Sequence, residues 1–83
     1  DKPIIACIGR VVPIKDVKTF IRASALIIHK NPQAEAWIVG AQDEDPEYVE
    51  TCQNLTRTLG LEKKIKFLGQ LNVMDVFPKL DLL

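Results

Sequence analysis

Ile4-Ile5-Ala6-Cys7-Ile8-Gly9-Arg10-Val11-Val12-Pro13-Ile14-Lys15-Asp16 is the stretch on which the fold class turns. Ile4 to Ile8 is a short, unbroken apolar run that meets a glycine at once. A strand buried on both faces reads this way, and such strands belong to parallel sheets covered by helices. Beyond the loop, Asp16 can cap a helix through its carboxylate, a contribution of about 1 kcal/mol. Val17, Phe20, Ile21, Ser24 and Ile28 then recur at helical spacing, until Asn31-Pro32 ends the helix.

The same alternation continues outward. Ala34 to Val39 reads as a second strand, closed by Gly40. Asp45 is the expected cap and Pro46 the expected first residue of a second helix, with Tyr48, Cys52, Leu55 and Leu59 on one face and Gly60 as its end. Ile65 to Leu68 reads as a third strand ending at Gly69. Asn72 is expected to cap a short helix over Val73 to Phe77, and Leu80 to Leu83 to begin a fourth strand. The order βαβαβαβ, with right-handed crossovers, predicts an α/β, Rossmann-like open parallel sheet with helices on both faces. Ligands of such sheets bind outside the carboxyl ends of the strands, where Gly9, Gly40 and Gly69 fall.

Composition narrows the function. Eleven basic and eleven acidic residues cancel, which argues against a general nucleic-acid binder. No apolar run approaches the roughly 20 residues of a membrane span. Cys7 and Cys52 lack Cys or His neighbours at ligand spacing, so two buried free thiols in a cytoplasmic protein are expected, and no metal site. A chain that opens Asp1-Lys2, and is this short, is expected to be a segment of something larger: a single partial domain over 1–83.

The loop after the first strand carries the chemistry. Arg10 offers a planar fork and Lys15 a compact charge, and together they suit a diphosphate. The N-terminal amides of the following helix would add to the grip. Spacing alone supports equally well a pair of surface bases. Neither GxxxxGK[ST] nor GxGxxG is present. His29, near a helix end, reads as a structural imidazole, and Trp37 as core. Glu35, Asp43, Glu44, Asp45, Glu47 and Glu50 read as a solvated loop and helix start.

Gly9-Arg10 with Lys15-Asp16 resembles the G-R-x-x-x-x-K-G/N/D loop of family 4 retaining glycosyltransferases of the GT-B fold. The resemblance runs on through Trp37-Ile38-Val39-Gly40, Asp43 to Tyr48, Leu59-Gly60-Leu61, Phe67-Leu68-Gly69 and Asp81, and so covers the chain. Arg10 to Ile21 is similar to the PelF type, which acts in Pel exopolysaccharide synthesis. The resemblance implies a nucleotide-sugar-binding domain, with UDP-glucose as donor and no metal cofactor. It implies that Arg10 and Lys15 act on the diphosphate as catalytic residues and that Gly9 lets the loop approach the donor. It places Gly40 on the nucleoside side, and Gln70 and Leu71 where backbone groups address the base.

Two departures stand out. The acidic E-x7-E segment of the family lies beyond this sequence, and Asp16 stands where glycine or asparagine is commoner. Two charged hydrogen bonds contribute about 3–6 kcal/mol, against at least about 4 kcal/mol of lost freedom. These residues alone are therefore expected to bind donor at millimolar strength or weaker, without transferase activity. They are also expected to self-associate through an apolar edge at Leu82-Leu83. The competing expectations are a non-catalytic nucleotide- or phosphate-binding module and a sugar-nucleotide epimerase of the same fold.

Overall fold

The computed structural model describes residues 3–70 and 81–82. Strand β1 is Ile4–Ile8, helix α1 Val17–Lys30, strand β2 Glu35–Val39, helix α2 Pro46–Thr58, strand β3 Ile65–Gly69 and strand β4 Asp81–Leu82. A single 3-10 turn, Pro13–Lys15, stands between β1 and α1. The strands form one parallel sheet in the order β3-β2-β1-β4. The expected helix over Val73 to Phe77 lies outside the described residues.

Register divides the sheet into two faces. Ile5 pairs with Ala36 and Ala36 with Ile65, while Cys7 pairs with Ile38 and Ile38 with Phe67. Side chains alternate along a strand, so these six share one face. Val17, Ile21 and Ile28 of α1 and Val49 and Cys52 of α2 join that face in a single core. Both described helices therefore lie on one side. Helices were expected on the other face too; the third expected helix, Val73 to Phe77, lies outside the described residues.

Helix ends follow local chemistry, with corrections. Asp45 caps α2 as expected: its Oδ1 accepts the Tyr48 N–H at 3.0 Å, and Pro46 opens the helix. At the other end Gly60 has φ +71°, donates to the Arg57 carbonyl, and lets Leu61 donate back to Thr56. That pair of bonds closes the helix and turns Leu61 onto the core. Of the expected face, Cys52 is buried and Tyr48 and Leu55 pack against the core, but Leu59 is 41% exposed; Val49 and Thr56 complete the buried stripe.

Asp16 does not cap α1 with its side chain. It adopts a left-handed backbone, φ 49°, which brings its carbonyl to the Thr19 N–H, and its Oδ2 accepts from Thr19 Oγ1 at 2.7 Å. A left-handed backbone is what glycine or asparagine at this position would accommodate most easily. Asn31 at the other end of α1, by contrast, is not left-handed: its φ is −136°, and its Oδ1 accepts from Gln33 N.

Glu35 overturns its reading as a solvated acid. It is 5% exposed, on the face away from α1 and α2. It accepts from Trp37 Nε1 at 3.1 Å and pairs with Lys66 Nζ at 3.2 Å. Trp37 is half-buried, its ring nitrogen used in this contact. Burial without those partners would cost several kcal/mol.

Ser24 is fully buried on α1, and its Oγ has no partner among the described residues. An unpaired buried hydroxyl costs about 1–3 kcal/mol. Ser24→Ala is therefore expected to raise stability by about 1 kcal/mol, measured by urea unfolding.

Both cysteines are free, Cys52 buried and Cys7 half-buried rather than fully enclosed. Burial pushes both thiols above their ordinary value, and the nearby Lys15 charge partly offsets this at Cys7. Unfolded thiols then release protons at a pH where folded ones keep them. Stability contributed here is intact below the ordinary thiol range and falls as pH climbs through it. Urea midpoints are expected to drop between about pH 7 and pH 10, and to drop less in Cys52→Ala.

Candidate functional site

The carboxyl ends of β1, β2 and β3 are tied to one another by backbone bonds. Gly9 N donates to the Val39 carbonyl at 2.9 Å, and Gly40 N to the Gly69 carbonyl at 2.7 Å. Just beyond, Val11 N donates to Ala41 at 3.0 Å, which joins the β1–α1 loop to the β2–α2 loop. The approach is so close that a Cβ on Gly40 would stand 1.7 Å from the Gly9 carbonyl oxygen. Only a residue without a side chain fits there.

A cleft of about 230 Å³ opens at this edge. Gly9, Arg10, Gly40 and Gln70 line it, with Ile8 and Val39 as its apolar floor. Lys15 reaches the same edge from the 3-10 turn: its Cε lies 3.7 Å from where a Cβ on Gly9 would be. Five of the six sequence-predicted site residues are thus gathered at one strand edge. Leu71 lies outside the described residues.

The helix that follows contributes less than expected. Lys18 N donates to the Tyr48 hydroxyl at 3.3 Å, and Thr19 N and Phe20 N donate to the Asp16 carbonyl. Tyr48 comes from α2, and the Lys18 ammonium lies 5.8 Å from its ring centre. The amides of Lys18, Thr19 and Phe20 are therefore occupied. An anion here would be held by the Arg10 and Lys15 side chains and the loop rather than by the helix start. Burial raises the Tyr48 hydroxyl above its ordinary value, while the backbone N–H of Lys18 acts in the other direction.

Charge around the cleft is mixed. Arg10 Nη1 donates to both carboxylate oxygens of Glu44, at 3.0 and 3.1 Å. The Asp16 carboxylate is engaged by the Thr19 hydroxyl. Gln42 sends its amide nitrogen to within 4.0 Å of where a Cβ on Gly69 would be. His29 is exposed near the end of α1. A larger cavity, about 390 Å³, lies between α2 and β3 against Gln53, Arg57, Lys66 and Phe67, and includes none of the predicted residues.

Three contributors escaped the sequence reading: Glu44, Tyr48 as an amide acceptor, and Gln42. Glu44 is 34 residues from Arg10, and only the pairing of β1 beside β2 makes their loops neighbours. The one available signal was that loops leaving adjacent parallel strands emerge on the same edge.

The described residues form an open parallel sheet with Arg10 and Lys15 at its carboxyl edge, the edge at which sheets of this kind bind their ligands. The chain belongs to the family described as glycosyl transferases group 1, whose model matches residues 1–83. Over 78 residues it is 33% identical to a GDP-mannose-dependent monoacylated alpha-(1-6)-phosphatidylinositol monomannoside mannosyltransferase of Corynebacterium glutamicum. That match covers 94% of this chain and 19% of the relative, so the chain spans about a fifth of that protein's length. No solved structure matches the chain. No described helix is long and apolar enough to cross a membrane.

Gly40→Ala is expected to push the β1–α1 and β2–α2 loops apart, since backbone rather than a movable side chain blocks the methyl. Loss of about 2 kcal/mol or more of stability, with backbone amide shifts at Gly9 and Arg10, is the expected result. Calorimetric melting and amide chemical-shift mapping check it.

Proposed function

We propose that this segment is the donor half-site of a retaining glycosyltransferase with two facing α/β domains. Arg10 and Lys15 grip the diphosphate of a nucleotide sugar. The observation that carries the reading is that Arg10 lines the carboxyl-edge cleft while the Lys15 side chain folds back over Gly9 beside it. Membership of the glycosyl transferases group 1 family supports sugar transfer as the reaction.

In that reaction the bond from the sugar to the nucleotide diphosphate breaks, and negative charge grows on the departing oxygen. Cations already held in place stabilise the charge without reorganising, which is where most electrostatic catalysis originates. Gly9, Gly40 and Gln70 shape the wall against which the nucleotide lies. The acceptor enters from the facing domain, and the product keeps the donor's anomeric configuration.

The donor on this reading is UDP-glucose and the product an exopolysaccharide made on the cytoplasmic side, as the likeness of Arg10 to Ile21 to the PelF type suggests. A second donor, GDP-mannose, is favoured by the name of the corynebacterial relative. The two differ in the base and sugar, not in the diphosphate that Arg10 and Lys15 address.

Steady-state kinetics of the full-length enzyme with each donor decide between them and test the site together. Arg10→Ala and Lys15→Ala are each expected to lower kcat/KM by about 100- to 1,000-fold with unchanged melting temperature. Values within twofold of wild type would remove these residues from the site.

A further inference from the structure

We propose that Glu44 is a positioning residue, holding the Arg10 guanidinium by one nitrogen and leaving its opposite edge to the donor diphosphate. The inference rests on the reading of Arg10 as a diphosphate ligand. Both Glu44 oxygens accept from Nη1. Nε and Nη2 have no hydrogen-bond partner among the described residues. Those two nitrogens form the side-on fork of a guanidinium, the edge that meets a phosphate with two parallel bonds. A carboxylate standing in for the diphosphate would occupy that edge, and Glu44 does not. Nor does Glu44 line the cleft that Arg10 lines.

The pair is open to solvent, with 55% of the Arg10 and 46% of the Glu44 side chain exposed. Such a pair is screened and adds little to folding. Its consequence is orientation. Arg10 sits on the β1–α1 loop between β1 and the 3-10 turn, outside any regular element, and no other described hydrogen bond or ion pair fixes its side chain. Glu44 stands on firmer ground. Asp45, the next residue, caps α2 through Tyr48 N, and the Val11 to Ala41 bond joins the two loops beside it. A long side chain tied to that anchor loses less freedom when a ligand arrives. The carboxylate also subtracts from the positive charge of Arg10, so removing it would tighten binding if charge rather than ordering governed the site.

Calorimetric titration of the full-length enzyme with UDP and with GDP tests this, using Glu44→Ala, Glu44→Gln, Arg10→Ala and the double variant Arg10→Ala/Glu44→Ala. Glu44→Ala is expected to weaken nucleotide binding up to about tenfold. Glu44→Gln, which keeps one acceptor oxygen, is expected to lose less. In the Arg10→Ala background the Glu44→Ala effect is expected to vanish, which a merely structural role would not produce. Unchanged or tighter binding by Glu44→Ala, or an equal loss in both backgrounds, overturns the inference. If Arg10→Ala itself leaves nucleotide affinity unaltered, the reading of Arg10 fails first. If Arg10→Ala weakens binding and Glu44→Ala does not, only the role of Glu44 falls.

Discussion

The carboxyl edge of this sheet depends on one close approach, between the Gly9 carbonyl and the α-carbon of Gly40. Parallel strands β1 and β2 are hydrogen-bonded to their last residues, and the bonds continue past them into both loops. Loops that leave so close together cannot diverge at once. Arg10 and Glu44 are brought within hydrogen-bonding distance by that constraint, and the cleft forms where the two loops finally separate. A side chain at Gly40 would abolish the approach and, with it, the geometry of everything above the sheet.

Charge at this edge comes from side chains more than from backbone. A helix start is a ready anion site only while its amides are free. Here α1 spends those of Lys18, Thr19 and Phe20 on the Tyr48 hydroxyl and the Asp16 carbonyl. The left-handed backbone of Asp16 is what makes the second of these possible. The same residue sends its carboxylate to Thr19, so a negative charge beside the proposed diphosphate is engaged in a local contact. On the proposed function, anion recognition falls to Arg10 and Lys15, which makes the orientation of both cations matter more than their mere presence.

The two faces of the sheet solve different problems. One is a continuous apolar core shared with α1 and α2. The other carries Glu35, which shares its charge with Lys66 and accepts from Trp37. Period-two alternation within Glu35-Ala36-Trp37-Ile38-Val39 contains this difference, with Ala36 and Ile38 on the core side and Glu35 and Trp37 opposite. The acidic composition of the stretch that follows hides it, because Glu35, although inside the expected strand Ala34 to Val39, reads by charge alone with the solvated acids of the next loop.

The order of the described strands and α-helices, the caps at Asp45 and Gly60 and the two bases of the Arg10 to Lys15 loop were legible in the sequence. Each is a local matter: apolar runs ending in glycine, a capping carboxylate, a proline at a helix start, two bases a few residues apart. What the sequence could not show was which local features would become neighbours. The Glu44 hold on Arg10, the Tyr48 hydroxyl at the start of α1 and the burial of Glu35 against Lys66 all join residues some 30 positions apart. Those contacts exist only because β1, β2 and β3 lie side by side in register. Side-chain chemistry determined what each loop can bind; the pairing of strands decided which charges are already taken when a ligand arrives.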